Sequence, residues 1–527
     1  MADNYVPHMP DRLRAASADA AGGAISRARD AARSPFAVAA AATLLAGAHL
    51  AVWFPGESGP DADSQYAQIL SGRLDDWHPP IMAWLWSFFH LFANGGAPMF
   101  CFQVALYWLG FGLIGTALAR AGRPLAAWAM LGVALLPPLL ETSVILLKDV
   151  GMAVTFLTAV AALFWYRIED RAVPRPVAAA SLVLLVYGVL VRANAVFAVV
   201  PLLAYLIRPR WLARPWWLLA LSLPVGLAMV PAANLINHRV LQAEPLHIIR
   251  SLQIFDITGI AYYSDDLAVL GPNTGLVRAD VDRCYQPLNW DRLAPWGDCR
   301  FFWDRLAVSR DLRGVAELDA RAAMGVKPNP DLLGRWVAAI VRHPLAYAQH
   351  RLASFASQVG LIDGMRGAGM MKPDLAPAAD EAAAAPAPEP VYLALYDVAA
   401  TPALWLAIGV GLLLWLTSAR APPVSPSRDA ALALLLSGVP YALAFLVIGV
   451  ASEFRYLFWS LIAILVALVI LLSERGTALW TMFGGIGSAG PMPVVFSRTL
   501  WEEDADAVRP CCPVSPARHA GRPGPDD

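Results

Sequence analysis

The chain has little charge for its length. Of its 527 residues, 15% are charged and 58% are hydrophobic, whereas a soluble protein carries roughly 25% charged residues. This shortage excludes an ordinary soluble globular protein. The 40 basic and 41 acidic residues nearly cancel, which argues against a nucleic-acid-binding protein, since that class needs a basic excess. The composition therefore predicts a polytopic membrane protein.

Lysine and cysteine are also scarce. Lysine occurs only at Lys148, Lys327 and Lys372, so the basic residues are almost all arginine. Five cysteines in a chain this long form neither a zinc framework nor a disulfide scaffold. The fold must therefore depend on apolar packing rather than on metals or many cross-links.

Long apolar runs fill much of the sequence. A membrane helix needs about 20 mostly apolar residues, and ten segments meet or approach that length. They are 35–55, 98–119, 124–141, 150–167, 176–191, 195–207, 216–236, 393–417, 429–450 and 455–473. Only three residues separate the fifth and sixth segments, which predicts a tight hairpin with Arg192 at its tip. The shorter run 81–92 predicts a helix at the membrane interface.

Positive charge is distributed unequally between two sets of short loops. The N-terminal arm and the turns that follow residues 119, 166, 207 and 417 each contain two or more arginines. The opposite loops contain only Arg73, Lys148, Arg192 and Arg455. Because positive charge stays cytoplasmic, both termini are predicted to lie inside a bacterial-type plasma (inner) membrane.

This orientation defines the domains. The predicted organisation is a cytoplasmic arm 1–34, a membrane core 35–236 with an outer loop 56–97, an extracytoplasmic domain 237–392, C-terminal membrane helices 393–473 and a largely disordered inner tail 474–527. Within the outer domain, 331–360 predicts two amphipathic helices broken before Pro344. Residues 373–390 are of low complexity and predict a flexible tether.

Polar residues of the outer side come from four turns far apart in sequence. They are Asp61, Asp63, Asp76 and His78 in the first, Glu141, Lys148 and Asp149 in the second, Arg192 and Asn194 in the third, and Glu453, Arg455 and Tyr456 in the last. Ionisable groups near a membrane are costly and usually functional. Their convergence on one face is the strongest functional signal in the sequence.

Each of these residues also has a plain structural explanation. Asp63 could cap a short helix that runs to Gly72. Lys148 and Asp149 could form an ordinary interfacial pair, and the arginines at 192 and 455 could reach lipid headgroups. Taken singly, the structural explanation is the better one; taken together on one face, it is not.

The first outer loop resembles a known family. A first span, an acidic loop and then His78-Pro79-Pro80 is similar to the GT-C superfamily of membrane glycosyltransferases, above all its protein O-mannosyltransferase and lipid A aminoarabinose transferase branch. The family's Asp-Glu pair matches Asp63 and Ser64, and the missing Glu leaves the catalytic acid open between Asp63, which we prefer, and Asp61. The later segments LVRANAVFAVVP and SEFRY also resemble turns of these enzymes.

The resemblance implies an activity. Enzymes of this family move a sugar from a polyprenyl-phosphate donor, here to an envelope glycan, lipid or protein at the outer face. A carboxylate would take the proton of the acceptor hydroxyl, and Lys148, Arg192 and Arg455 would stabilise the departing phosphate. Some branches need a divalent cation such as Mg²⁺ or Mn²⁺, but no metal cage is evident in this sequence.

The outer domain contributes further candidates. Arg250 and Asp256 in HIIRSLQIFDITGI either line the site from above or belong to an interfacial helix, and we favour the second. Cys284 and Cys299 enclose a short loop in a compartment that permits oxidation. We expect a disulfide between them, which would stabilise the fold by about 3 kcal/mol.

Two other functions remain open. A transporter or flippase of lipid-linked glycans would place ionisable residues at mid-span in two related halves, which the sequence does not do. A non-catalytic envelope assembly protein is suggested by Ser64. We therefore predict an all-α, GT-C-like polytopic membrane protein of about ten transmembrane helices, with membrane lipid among its partners and no nucleic acid.

Overall fold

The computed structural model describes residues 33–207, 209–309, 320–362, 401–418 and 421–484. Almost all of them belong to one unit, 1–477; a second unit, 478–527, enters the described part only as the end of the last helix. Most of the predicted N-terminal arm, the tether 373–390 and most of the predicted tail lie outside the described residues.

The described chain is helical, and several of its helices can cross a membrane. The candidate membrane helices are α1 (Pro35–Trp53), α4 (Ala97–Arg120), α5 (Pro124–Ala134), α6 (Pro137–Val144), α7 (Lys148–Arg167), α8 (Arg175–Val191), α9 (Val196–Ile207), α10 (Pro215–Leu235), α17 (Pro402–Thr417), α18 (Pro426–Ile448) and α19 (Phe458–Gly484). Two short helices, α2 (Pro60–Ser71) and α3 (Ile81–His90), lie in the first loop. The protein is a polytopic membrane protein.

Six helices are long and apolar enough to span, or seven if the bent pair α5–α6 counts as one span. The axis bends by 52° between these two helices, where Pro137 and Pro138 follow α5, because proline cannot continue the hydrogen-bond ladder. Three predicted spans correspond to shorter apolar helices, α8, α9 and α17. Of the last of these, predicted from residue 393, only the part from residue 401 is described.

Proline explains many of the helix boundaries. Its fixed φ suits the first helical turn, where its missing N–H has no partner to lose. Several membrane helices and one loop helix begin with it, at Pro35, Pro60, Pro124, Pro137, Pro215, Pro402 and Pro426. The many prolines of the chain therefore help to set where its helices begin.

The bundle is closely packed around α4 and α7. Small residues permit this, because a Cβ on Gly110 of α4 would lie 2.6 Å from Leu157 Cγ on α7. Similarly, a Cβ on Gly188 of α8 would lie 2.5 Å from a ring carbon of Phe156. Such contacts lie below van der Waals separation, so only glycine fits at these crossings.

Arginines join helix ends on the face opposite the first loop. Arg123 donates hydrogen bonds to Ser427 Oγ and Ser473 Oγ, at 2.9 and 3.0 Å, and so connects the α4–α5 turn to α18 and α19. Arg167 donates to Leu206 O at 2.9 Å, at the end of α9. Arginines of the short turns thus also hold the bundle together at this face.

The loop between α10 and α17 forms a second hydrophobic core. Its helices are α11 (Ile249–Ser264), α12 (Arg278–Cys284), α13 (Phe301–Leu306), α14 (Ala320–Gly325), α15 (Leu332–Arg342) and α16 (Pro344–Gln358). The break before Pro344 confirms the two helices predicted over 331–360. The disulfide Cys284–Cys299 is present, with its Cα atoms 5.9 Å apart.

Helix α11 occupies the centre of this domain. Its residues from Arg250 to Ala261 are all buried in the protein, so the prediction of an interfacial helix with its apolar side on the bilayer was wrong. The sequence was misread because the polar residues of this helix, which an interfacial helix would expose to water, are buried together with the apolar ones. Asp256 accepts hydrogen bonds from Trp336 Nε1 and His350 Nε2, at 2.7 and 3.0 Å, and pairs with Arg351.

Candidate functional site

Two loops bring α2 beside the start of α7. The Glu57 N–H donates to Val144 O at 3.1 Å, and the Leu146 N–H donates to Glu57 O at 2.9 Å. This short parallel bridge places the first turn of α2 next to the first residue of α7. As a result, Lys148 Nζ donates to Asp61 Oδ2 at 3.0 Å, across 87 positions of sequence.

Four side chains form what we call the Asp61 cluster: Asp61, His78, Lys148 and Arg455. Arg455 Nη1 donates to the same Asp61 Oδ2 at 2.8 Å. His78 Nδ1 lies 2.7 Å from Lys148 Nζ, and its Nε2 lies 3.7 Å from Asp61 Oδ1. The cluster thus joins the first loop, the start of α7 and the turn before α19, as the sequence predicts for one membrane face.

The protonation state of His78 follows from its neighbours. An ammonium group can only donate, so the Lys148 Nζ contact makes His78 Nδ1 an acceptor and leaves the ring proton on Nε2. Burial, and then the charge of Lys148, lower the pKa of His78 to about 3. The imidazole is therefore neutral at physiological pH and orients the lysine rather than adding charge.

Asp61 is ionised and doubly paired. Burial raises its pKa, but the positive charges of Lys148 and Arg455 lower it more, and the net pKa lies well below the usual range. The carboxylate remains 21% exposed, and the cations of its two pairs are 15% and 20% exposed. A ligand that approaches this face can therefore reach both signs of charge.

A second group of side chains adjoins the cluster. Arg192, which follows α8, pairs with the buried Asp149 of α7 and donates from Nε to Asn194 Oδ1 at 3.0 Å. Its guanidinium lies 4.6 Å from the centre of the Tyr456 ring, while that of Arg455 lies 5.3 Å from the same ring. Tyr456 thus stands between two arginines, and cation–π attraction fixes both.

The outer domain holds the turn that carries Arg455. Trp290 N–H donates to Val450 O at 2.9 Å, and Ser452 N–H donates to Leu288 O at 2.7 Å. The amide of Gln358 on α16 donates to Glu453 O at 2.9 Å. Glu453 itself pairs with Arg455. Because the disulfide loop pairs with this turn, the second core positions a residue of the Asp61 cluster.

Sequence reasoning missed Asp291 as a site residue. It lies on the disulfide loop beside Trp290, and burial, then the charge of Glu453, raise its pKa to about 6. Asp61 and Arg455 also act on it electrostatically. The turn needs Gly297, since a Cβ there would lie 2.1 Å from Asp291 O. The sequence did offer one indication of this site residue, because Asp291 lies between Trp290 and Trp296 in the loop that the disulfide closes.

Several predicted residues lie outside the Asp61 cluster. Asp63 is exposed and accepts a hydrogen bond from Ser58 Oγ. It lies inside the first turn of α2, whose cap is Gly59, so the N-cap prediction was wrong. Asp76 accepts from the Leu246 N–H and lies 3.4 Å from His238 Nε2, which ties the first loop to the outer domain.

Two further predicted residues, Arg250 and Glu141, lie on helices that contribute no side chain to the Asp61 cluster. Arg250 donates to the carbonyl oxygens of Leu246, Met324 and Val326 and is 1% exposed, so it fastens the outer domain internally. The contacts of Arg250 thus lie within the outer domain rather than in the Asp61 cluster. Glu141 lies on α6, before the turn that leads to Lys148.

Three tryptophans lie close to one another, two of them next to His78 and Asp291 in sequence. The Trp77 ring lies 5.6 Å from that of Trp296 and 6.0 Å from that of Trp290. Trp296 is half exposed. This group of tryptophans is a second feature that the sequence did not reveal. Two of its members, Trp290 and Trp296, lie in the disulfide loop, and their contact with Trp77 depends on the tertiary structure.

The donor set does not fit a divalent cation. Among the described residues, no group of three or more His, Cys, Asp or Glu side chains is arranged to hold a metal. In the Asp61 cluster, Lys148 and Arg455 already engage Asp61 Oδ2, and Lys148 engages His78 Nδ1. The site is built from paired charges rather than from converging metal ligands.

Comparison with protein-family models, with curated proteins and with solved structures gives no significant match.

Proposed function

We propose that the protein is a GT-C-like glycosyltransferase that moves a sugar from a polyprenyl-phosphate donor to an envelope glycan, lipid or protein acceptor. The observation that carries the proposal is the Asp61 cluster, in which three distant segments place an acid, two cations and a histidine in contact. The active face is extracytoplasmic and both termini are cytoplasmic, as the arginine distribution indicates. About ten crossings result if α8, α9 and α17 also cross.

The cations of the site suit a lipid phosphate. Lys148 and Arg455 lie at helix starts on the face where a phosphate headgroup of a membrane lipid would lie, and both are partly exposed. Arginine binds phosphate in a bidentate manner, whereas lysine acts as a point charge. Arg192 lies close behind them through the shared ring of Tyr456.

Donor binding would also prepare the base. In the free protein Asp61 is a weak base, because two cations hold its charge. A bound phosphate competes for Lys148 and Arg455, so Asp61 loses cationic partners and its basicity rises. Asp61 then takes the proton of the acceptor hydroxyl. The hydroxyl oxygen bonds to the anomeric carbon as the bond from that carbon to the phosphate oxygen breaks, with inversion.

The phosphate leaves with a full negative charge. Lys148 and Arg455 stabilise that charge in a site largely removed from water, where such contacts are strongest. The acceptor would approach from the outer domain, past Trp77 and the half-exposed Trp296, whose rings suit the apolar faces of a sugar ring. No metal-dependent step is needed.

A deletion strain tests the assignment. Compared with its parent, it should accumulate one lipid-linked sugar and lack the corresponding modification of a surface glycan, lipid or protein. Wild-type protein should restore the modification and Asp61→Asn should not, at equal abundance in the membrane. Unaltered lipid-linked sugars and glycans in the deletion strain would overturn the proposal.

A non-catalytic envelope assembly role is the second candidate. It is favoured by the pairing of each site cation with a carboxylate, Lys148 and Arg455 with Asp61 and Arg192 with Asp149, because such pairs can be purely structural. This role predicts that Asp61→Asn lowers protein abundance but leaves glycans normal once expression is restored. The same strain set therefore separates the two functions.

A further inference from the structure

A cavity opens at the helix ends farthest from the Asp61 cluster. It has a volume of about 420 Å³, within the range of roughly 300–1,000 Å³ usual for ligand sites. Its lining residues are Leu212, Arg214, Pro215, Trp216, Trp217, Leu416, Thr417, Arg428 and Leu432. Helix α18 begins beside it and ends beside Val450 near the cluster, so a whole membrane helix separates the two places.

Two arginines face this cavity without a salt bridge among the described residues, although the charge of Arg428 acts on the neighbouring Asp429. Neither Arg214 nor Arg428 forms an ion pair with a carboxylate in the part of the chain that the structure describes. Arg428 donates from Nη2 to Leu416 O at 3.1 Å, but its buried Nε has no hydrogen-bond partner among the described residues. A buried charged donor left in this state is costly, which points to an anionic ligand.

Helix ends add to the positive potential. Helix α10 begins at Pro215 and α18 at Pro426, so the amino ends of two long helices border the cavity. The helix dipole favours anions at such ends. Arg428 lies in the first turn of α18 and Arg214 directly before α10.

The tryptophans that line the cavity indicate its level in the membrane. Trp216 and Trp217 are 63% and 73% exposed at the start of a candidate span. Tryptophan is enriched at the level of lipid headgroups. The cavity therefore opens where phosphate groups of lipids lie, on the arginine-rich face where anionic lipids are attracted by basic residues.

We propose that this cavity binds the phosphate headgroup of an anionic phospholipid. Arg214 and Arg428 contact the phosphate, and the two tryptophans pack against the glycerol and upper acyl chains. The site is independent of the glycosyltransferase function, because it lies at the other membrane face. Its ligand is a structural lipid rather than a sugar donor.

Native mass spectrometry of the full chain in detergent, titrated with phosphatidylglycerol, tests the proposal. We expect Arg214→Gln/Arg428→Gln to bind this lipid roughly thirtyfold more weakly than wild type, and Arg214→Gln alone roughly fivefold, because charged contacts to phosphate are lost. Arg175→Gln is the matched control, since Arg175 is exposed at the start of α8 on the same face. It should bind as wild type does.

Further arms identify the source of the phosphate. Phosphatidylcholine should bind weakly, and its binding should be the same in wild type and in the variants. Inorganic phosphate at millimolar concentration should not displace phosphatidylglycerol. Equal lipid binding by the double variant and Arg175→Gln would overturn the proposal. So would displacement by inorganic phosphate, which would make the cavity a site for free phosphate. The single variant, at an exposed position, keeps the test valid if the double variant does not fold.

Discussion

Lys148 contacts both the carboxylate and the imidazole of the Asp61 cluster, and it is one of only three lysines in the chain. An ammonium next to a departing phosphate acts mainly on the transition state. Lys148→Gln should therefore lower the rate of sugar transfer by roughly 10²–10³-fold, as measured with membranes at equal protein content. Lys327→Gln in the outer domain is the matched control. Equal rates for both variants would remove Lys148 from the reaction.

Asp291 gives the protein a specific pH dependence. Its pKa is raised from the ordinary 3.8 to about 6, so the folded protein binds the proton more tightly than the unfolded chain does. The stabilisation is complete below the unfolded pKa and is lost as pH rises through the folded value. We expect the thermal midpoint of wild type, relative to that of Asp291→Asn, to fall as the pH rises from about 4 to about 6.

Asp298 is the control for that titration. It lies on the same disulfide loop, is exposed and pairs with Arg292, which lowers its pKa. Because it stays ionised over that range, Asp298→Asn should keep the wild-type pH dependence. If the thermal midpoint of Asp291→Asn depended on pH as that of wild type does, the carboxyl of Asp291 would not have the raised pKa that its burial in the loop produces.

At the scale of elements, the disulfide loop tests both structure and orientation. Cys284 and Cys299 close a loop of 15 residues, worth about 3 kcal/mol of stability, and the loop pairs with the turn before Arg455. In intact cells a membrane-impermeant thiol reagent should label these cysteines only after reduction. Labelling without reduction would refute the disulfide, and no labelling after reduction would refute the outward orientation of this loop.

Another prediction concerns how the outer domain is fastened to the bundle. Arg351 on α16 pairs with the fully buried Asp256 and donates to Gly449 O at 2.6 Å, directly after α18. Arg351→Met leaves a buried carboxylate unpaired and should lower the free energy of unfolding by about 3–5 kcal/mol. Arg278→Met, which breaks exposed pairs with Asp265 and Asp282, should cost at most about 1 kcal/mol.

Thermal unfolding in one detergent compares the two arginine variants. A similar midpoint for both would mean that the Asp256 network adds nothing to the connection between the outer domain and α18. A lower midpoint for Arg351→Met alone agrees with the buried pair.

For the whole molecule, the lengths of the apolar runs predicted much of the helical order. Six of the ten predicted segments correspond to helices long enough to span, because twenty apolar residues leave few other structures in a membrane. The bend after Ala134 was missed, since hydropathy ignores the two prolines that follow. Helix α11 was misread because its buried polar residues, such as Asp256, find partners only in the folded outer domain.

The site was predictable as a region but not as a set of contacts. Charge placement predicted that Asp61, His78, Lys148 and Arg455 share a face, and the structure brings them together. The preference for Asp63 came from the family pattern, whereas the pairing at Asp61 depends on the bridge between Glu57 and Ile145, which has no sequence signature. Asp291 reaches the site only through the tertiary position of its loop.

The most direct measurement is the rate of sugar transfer from the accumulated lipid-linked donor, using membranes that contain Asp61→Asn or Asp63→Asn at equal abundance. The two acids lie in the same turn of α2, but only Asp61 engages Lys148 and Arg455. The account predicts that Asp61→Asn loses roughly 10²–10⁴-fold in rate, as expected for loss of a general base, while Asp63→Asn transfers at about the wild-type rate. Wild-type transfer by Asp61→Asn would contradict it.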